Sequence, residues 1–387
     1  MDQSRRPVIV AFGRTAICKA KKGSFRNENP IEFAAQALKG VMARVPELEP
    51  ALVEEVVVGC AFPEHLQNYN IARQITFRAG FPDTTTSLTV SRICSSGLQA
   101  IAVAANAIIA GERDIVCAGG VESMSKTIMY PHQDDLYDYF LQNRPEVYDP
   151  PGITGEKVAK LCGITRRDMD AFAAESHRRA LEAQAGGWFD DQIIPVTAHD
   201  DEGREITVIR DEGMRSNVTV ESLAQLEPAF LADGRITAGN AAQMSDGAGF
   251  VVIMAAGKAA ELGLRPVAEF LGFLTAGLEP EHMGLGPIRV VPKLLNRLGL
   301  TVGDLDVIEL NEAFAAQAIP CIRELGLPED KTNPTGGAIA YGHPLGGTGA
   351  ILTCKAISYL RRTGGRYGLI TMCVGGGMGA AGVIKRL

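Results

Sequence analysis

The sequence predicts an α/β fold of two similar halves, layered so that helices lie between sheets as well as outside them. Three observations carry this expectation. Short apolar runs alternate with helical runs in the first third of the chain and again in the last third. The two thirds share one order of motifs: VEEVVVGCAF resembles LDVIELNEAF, and each is followed by a turn, a small-residue helix, a short basic connection, a strand and a glycine cluster, as an internal repeat would give. Each third also holds a small-residue helix, LQAIAVAANAII in the first and its counterpart from Gly349 to Leu360 in the last. A helix with no wet face has to be covered on both sides, which places this pair in the middle of the layers.

Taken in order, Val8 to Ala11 is a strand, Pro30 to Arg44 a helix, Glu55 to Gly59 a strand, Ser96 to Ala110 the first buried helix and Asp114 to Ala118 a strand. In the last third Val267 to Leu274, Val307 to Leu310 and Gly368 to Cys373 are strands, while Val290 to Leu298, Ala313 to Leu325 and Gly349 to Arg361 are helices. Between roughly Ser123 and Ser245 the pattern breaks. Pro131, Pro145, the pair Pro150-Pro151, many acidic residues and two amphipathic helices (Gly155 to Leu161 and Arg166 to Ala185) read as an inserted cap beside the glycine cluster of the first half, where it can cover a site. The expected division is residues 1–122 with 246–265 as the first half, 123–245 as the inserted loop domain, and 266–387 as the second half.

The bulk properties exclude several classes. A chain of 387 residues with 46% apolar content can bury a large core, and a net charge of −7 with a pI near 5.5 argues against a nucleic-acid surface. No signal peptide is expected before the apolar run at Val8, the stretch Leu98 to Ala110 is too short to span a bilayer, and Lys385-Arg386-Leu387 is not a convincing peroxisomal address. A cytoplasmic location is the default expectation. The eight cysteines form no CxxC pair and the six histidines show no i, i+4 spacing, so neither a disulfide framework nor a metal site is expected.

Four constellations could carry chemistry. In SRICSSGLQA, Cys94 stands at the entry to the first buried helix, where unpaired N–H groups and the helix dipole would favour a thiolate; alone, it reads equally as a buried apolar filler. In GGAIAYGHPLGGTGA, His343 lies in a glycine-rich turn before the second such helix, placed to be a base or an oxyanion donor, or simply to satisfy the turn. Cys373 opens CVGGGMG, whose backbone N–H groups could form an anion nest. Asn311 in NEAFAAQ reads as the cap of the helix that follows, with Glu312 in its first turn. With the repeat, Cys94 and His343 fall at equivalent turns of the two halves and should meet near the pseudo-twofold axis, with Cys373 and Asn311 ending the neighbouring elements. A thiol nucleophile, a histidine, a second thiol and an amide are what acyl transfer requires.

With these residues in view the sequence resembles the thiolase family. The match covers essentially the whole chain in order: GRTAI, RICSSGLQA, GGVESMS, TAGNAAQMSDGA, MGLGP, NEAFAAQ, GGAIAYGHPLG and CVGGGMG. The resemblance implies a five-layered αβαβα fold of two halves with an inserted loop domain, and a two-step exchange. In it Cys94 attacks the 3-oxo carbon and takes the acyl group, Cys373 moves protons at the acetyl α-carbon, and CoA then attacks the acyl-enzyme. It implies one oxyanion hole from His343 and a water held by Asn311, and a second from the N–H groups of Cys94 and Gly375. It implies CoA contacts at Arg215, Ser222, Phe230, Ala238 and Ala242, with Met283 and Phe314 nearer the reacting end. Coenzyme A is then a co-substrate and no cofactor is tightly bound.

The partners so implied are CoA thioesters, a second copy of the chain as a homodimer or dimer of dimers, and other β-oxidation enzymes. Three positions depart from the family pattern. Ala242 stands where a serine often touches the pantetheine, Pro150-Pro151-Gly152 replaces a methionine-containing entry, and Tyr341 stands where leucine is common; all three are expected at the pantetheine or the acyl chain. RxCSSGLQA, the lack of a histidine before Gly152 and the modest length from GGVESMS to Pro150 favour a degradative 3-oxoacyl-CoA thiolase over a biosynthetic acetoacetyl-CoA enzyme. Cys373 speaks against a decarboxylating ketoacyl synthase, and intact Cys94, His343 and Cys373 speak against a non-catalytic acyl-CoA-binding subunit.

Overall fold

The computed structural model describes residues 2–127 and 135–387. Pro131, one of the residues by which the sequence marks the insertion, lies outside them. The chain begins with strand β1 (Pro7–Arg14), a short β2 (Cys18–Lys19), helix α1 (Pro30–Met42), β3 (Glu55–Gly59), α2 (Ile71–Arg78), β4 (Thr86–Val90), α3 (Ser96–Ala110) and β5 (Ile115–Ser123). Local signals fix the ends. The Asn29 side chain accepts the Ile31 N–H and Pro30 fills the first helical position of α1, while Gly111 closes α3 in the left-handed region.

The insertion follows, with α4 (Asp138–Asn143), α5 (Pro151–Leu161), α6 (Arg166–Ala185), a two-stranded sheet of β6 (Val196–His199) and β7 (Glu205–Val208), and α7 (Val220–Ala224). The chain returns through β8 (Ser245–Ala255) and α8 (Ala256–Glu261). It then repeats itself as β9 (Ala268–Gly277), α9 (Gly286–Leu298), β10 (Val307–Leu310), α10 (Ala315–Leu325), α11 (Ala338–Tyr341), α12 (Leu345–Thr363), β11 (Tyr367–Val374) and β12 (Met378–Arg386).

The strand order is β10-β11-β12-β9-β1-β8-β5-β3-β4, which is two copies of one arrangement joined back to back. From the outside inward each copy pairs parallel (β3 with β5, β10 with β11), then antiparallel twice (β5-β8-β1, β11-β12-β9). Where the first copy ends in β4, the second has only a parallel bridge between Ile308 and Thr332. The joint is narrow: β1 meets β9 at Val8–Glu269 and Ile9–Ala268 alone.

Strand periodicity then sorts side chains into layers. Val56 and Val58 of β3 face Phe33, Leu38, Ile71 and Ile75 of α1 and α2, whereas Val57 faces α3. In the second half Ile308 and Leu310 pack on α9 and α10. Between the sheets, Leu98 and Ile101 of α3 and Ala350 and Leu352 of α12 share one core with Val251 and Ile253 from one sheet and Ile370 and Met372 from the other. The layering is therefore αβαβα, with α3 and α12 as the middle layer. The exposed residues of α3 lie at its far end, Asn106, Ile109 and Ala110. Ile93–Ala110 is long and apolar enough to cross a membrane by length and composition, and here that length is spent on the middle layer.

The insertion is tied to the rest by charge and by packing. Arg14 at the end of β1 makes a two-pronged contact with Asp211, 2.7 and 2.8 Å, and both side chains are about fully buried. Leu223 and Ile236 of the insertion share a core with Phe314, Ile319 and Cys373 of the second half. Removing one member of a buried ion pair strands the other charge, so Arg14→Ala is expected to cost about 3–5 kcal/mol in urea unfolding, while the apolar double variant Arg14→Met/Asp211→Leu regains most of it. A midpoint unchanged in Arg14→Ala would show that the pair contributes nothing to holding the insertion.

Candidate active site

The turn that carries Cys94 is strained and heavily stitched. Ile93 sits at φ +43°, a region that costs a β-branched residue energy and is kept only where the surroundings enforce it. The enforcement comes from the serines: the Arg92 N–H donates to Ser96 Oγ (2.9 Å), Ser96 Oγ donates to the Ile93 carbonyl (2.7 Å), and Ser95 Oγ donates to that of Arg92 (3.2 Å). The result is a thiol held just before the first turn of α3 and 8% exposed, with the backbone N–H groups of Gly375 and of Cys94 itself favouring its anion.

Burial opposes the low-pKa thiolate that the helix entry suggests. Burial pushes the Cys94 thiol up to about 11, the two N–H groups pull it down, and the buried Glu122 carboxylate pushes it up again. The helix terminus is present, but desolvation outweighs it.

His343 is placed by a residue no side chain could replace. Gly342 lies at φ +112°, and a Cβ there would meet Ser245 Oγ at 2.0 Å. The His343 N–H donates to the Gln243 carbonyl (3.0 Å), linking this turn to the TAGNAAQMSDGA segment. The imidazole is 6% exposed, with Nδ1 2.6 Å from Thr348 Oγ1 and Nε2 3.3 Å from Asn311 Nδ2. Burial lowers its pKa to about 4, so the ring is neutral at physiological pH and available as a base.

Asn311 corrects the capping expectation. Helix α10 starts at Ala315, capped by Phe314 in an extended conformation, with Gln317 accepting the Phe314 N–H. Asn311 precedes it, its N–H donating to the Thr371 carbonyl and its amide turned to His343, with Oδ1 buried and unpaired among the described residues. Glu312 is not in the helical first turn either. It is buried and accepts from Ser176 Oγ (2.6 Å), Asn333 Nδ2 (2.9 Å) and the Ile339 N–H (3.3 Å), so α6 of the insertion grips the segment that carries Asn311.

Cys373 ends β11, 2% exposed, in the apolar cluster with Phe314 and Ile339. Burial holds its thiol well above the ordinary range, and the nearby Cys94 and Cys321 raise it further. Two buried thiols, a neutral imidazole and an amide are thus assembled from both halves. Among the described residues no group of three or more His, Cys, Asp or Glu is placed to hold a metal.

The other predicted positions divide. Phe230 and Phe314 stack edge to face at 6.1 Å, Met283 is buried, and the half-buried Ala242 donates its N–H to the Ala313 carbonyl, so these gather along the NEAF segment. Ala238 is exposed nearby. Arg215 and Ser222 make other contacts. The Arg215 N–H donates to His177 Nδ1 and its side chain is exposed, while Ser222 lies in the first turn of α7, exchanging hydrogen bonds with the N-cap Thr219. Tyr341 does not face a pocket. It is 2% exposed, its hydroxyl on Lys355, whose ammonium pairs with Glu309 at 2.9 Å and bonds the Gly336 carbonyl at 2.8 Å. A cavity of about 350 Å³ opens elsewhere, between α6 and α10, lined by Phe172, Ser176, Arg179, Glu312 and Arg323, and neither cysteine nor His343 lines it.

Two functional neighbours have no local signal in the sequence. Thr348 is one. The other is Glu122, a fully buried carboxylate accepting from Gln67 Nε2 (2.6 Å), the Ala61 N–H (2.9 Å) and the Gly346 N–H at the start of α12 (2.8 Å). It joins the first half to the His343 turn.

The chain resembles known proteins along its whole length. Residues 7–257 match the family model described as Thiolase, N-terminal domain, and residues 264–386 match Thiolase, C-terminal domain. A Bacillus subtilis protein named 3-ketoacyl-CoA thiolase is 45% identical over 386 residues, spanning 98% of both chains. The crystal structure of the Bacillus anthracis acetyl-CoA acetyltransferase superposes with a TM-score of 0.92 at 38% identity, covering 99% of each chain. The dimeric peroxisomal thiolase of Saccharomyces cerevisiae gives 0.92 at 38% identity, covering 100% of this chain and 99% of that one.

Because the free Cys94 thiol is held up to about 11, its alkylation by iodoacetamide is expected to rise about tenfold per pH unit from pH 7 to 9.5. A plateau already reached near pH 7 would mean that the helix terminus does win over burial.

Proposed function

The chain belongs to the thiolase family, and from that membership we propose that it works in the degradative direction, cleaving 3-oxoacyl-CoA with coenzyme A through an acyl group on Cys94. It is an acyltransferase. The observation that carries the reading is the set of buried groups at the ends of the facing elements: Cys94 at the entry to α3, Cys373 near the end of β11, and His343 with Nε2 3.3 Å from the Asn311 amide. One thiol suits acyl transfer, and the second suits proton transfer at carbon.

The steps balance on these residues. The Cys94 sulfur attacks the 3-oxo carbon as its proton passes to His343 Nε2, and the N–H groups of Cys94 and Gly375 receive the oxyanion. Proton loss has to accompany attack, since a free thiolate–imidazolium pair is disfavoured when burial holds the thiol near 11 and the imidazole near 4. The oxyanion collapses, the bond between the α-carbon and the former carbonyl carbon breaks, and Cys373 gives its proton to the α-carbon. Acetyl-CoA leaves, with His343 and Asn311 facing the enolate oxygen as it forms. Coenzyme A then gives its thiol proton to the Cys373 thiolate and attacks the acyl group. Cys94 departs and regains its proton from His343.

The same proposal includes a homodimer, cytoplasmic residence and a role in β-oxidation. Among the described residues the outer edge of β4 has no partner strand, and it exposes Leu88, as an edge that pairs with a second copy would. The named relatives support the degradative direction, since the Bacillus subtilis protein carries the name 3-ketoacyl-CoA thiolase.

Thiolysis rates across a ladder of 3-oxoacyl-CoA chain lengths test the function. Turnover of medium chains within about tenfold of acetoacetyl-CoA supports it, since one methylene is worth only about 1–3 kcal/mol. Activity confined to acetoacetyl-CoA would instead mark a biosynthetic enzyme. At the residue level, Cys94→Ser should keep its fold and lose at least about a thousandfold in turnover. Cys373→Ala should still accept an acetyl group from acetyl-CoA while losing exchange of the acetyl α-protons with solvent. Exchange at the wild-type rate in that variant would remove Cys373 from the mechanism.

A further inference from the structure

The Nδ1 side of His343 meets Thr348 Oγ1 at 2.6 Å, in the first turn of α12. Which atom donates is decided by the hydroxyl's own proton. Thr348 Oγ1 also lies 2.9 Å from the Pro344 carbonyl oxygen, which can only accept and also takes the Gly347 and Thr348 N–H groups at 2.9 Å; with the hydroxyl hydrogen directed to that carbonyl, the Oγ1 lone pairs face the ring. In that arrangement Thr348 accepts from the ring, and Nδ1 carries the hydrogen. A neutral imidazole has a single N–H, which leaves Nε2 a lone pair. The other contact agrees: Asn311 presents its Nδ2 donor to Nε2 at 3.3 Å, suited to a lone pair and not to a second N–H. The three side chains are 3%, 6% and 1% exposed, so water does not compete for them.

From this geometry we infer that Thr348 is a positioning residue for the reaction, fixing His343 in the tautomer whose Nε2 can take the Cys94 proton. The inference rests on the reading of Cys94 as nucleophile and His343 as its base. The competing tautomer is within reach. If Nε2 carried the hydrogen, a half-turn of the Asn311 amide would offer it Oδ1, which has no other partner among the described residues. The Thr348 hydroxyl is what tips the balance. After the proton has moved, Nδ1 still donates to Thr348, so the ring keeps its plane while Nε2 becomes a donor.

Thr348→Val keeps the shape and removes the acceptor. The expected result is a kcat lower by about ten- to a hundredfold, a KM for coenzyme A within about twofold, and recovery to within about threefold in Thr348→Ser. Nitrogen-15 NMR of ring-labelled protein at neutral pH, with the His343 signals assigned by their loss in His343→Gln, should show hydrogen on Nδ1 in the wild type and on Nε2 in Thr348→Val. Where valine prevents folding, Thr348→Ala must show the same kinetic loss and tautomer change. A Thr348→Val enzyme with kcat within about threefold of wild type, or a loss that falls on KM, or wild-type protein with hydrogen on Nε2, overturns the inference. If His343→Gln loses most of its turnover while Thr348→Val does not, the base assignment stands and the inference alone fails. If His343→Gln and Cys94→Ser both stay active, the reading of the site fails first.

Discussion

Between the two sheets, the backbones of α3 and α12 touch with no side chain between them. A Cβ on Gly97 would meet the Gly346 carbonyl oxygen at 2.8 Å, and one on Gly349 would meet the Leu98 nitrogen at 2.4 Å. Everything at the reacting centre follows from that approach, because Cys94 sits at the start of one helix and His343 at the start of the other. A residue with any side chain at this crossing would part the helices, and a sulfur and an imidazole from opposite halves would no longer share a site.

Around this crossing the protein accepts several buried charges. Among the described residues Glu122 has no cationic partner and depends on neutral donors, one of them at the start of α12, where the helix end favours an anion. Glu312 likewise depends on neutral donors, one from the insertion. Lys355 and Glu309 do pair, beneath the His343 turn. Buried ions of this kind contribute little net stability, yet each is satisfied in only one arrangement of the segments it joins. Their common effect is to fix loops from distant parts of the chain against the catalytic groups.

The fold was largely legible because periodicity is a local signal. The two small-residue helices, the repeated motif order and the inserted stretch are visible within short windows, and β3, β10 and α6 fall at or close to their expected bounds. Strand β4 was not foreseen, since TSLTV is short and half-exposed as an edge. The site was legible in its members but less so in their roles. Asn311 resembles a cap because asparagine before a helix usually is one, and nothing nearby reveals that Phe314 and Gln317 take that task. The acidity of Cys94 is not legible in the sequence, because the helix end is local and desolvation is not. Glu122 and Gly346 are 224 residues apart, so their bond has no sequence signature. Tyr341 reads as a pocket residue only until Lys355 is seen beneath it.

The shared middle layer also governs how the chain reaches this state. Neither α3 nor α12 can bury both faces until the other half arrives, and the two sheets hold each other through only two residue pairs at the β1–β9 joint. One half on its own would leave an alanine-rich helix bare on one side, so the halves are not independent folding units. Loop-closure entropy across the intervening insertion comes before the stabilising contacts, which makes the search slow and leaves a sticky intermediate exposed while it lasts. During synthesis the first half leaves the ribosome long before its partner helix exists. Holding that half soluble in the interval is a task for chaperones, imposed by the same architecture that brings cysteine and histidine together.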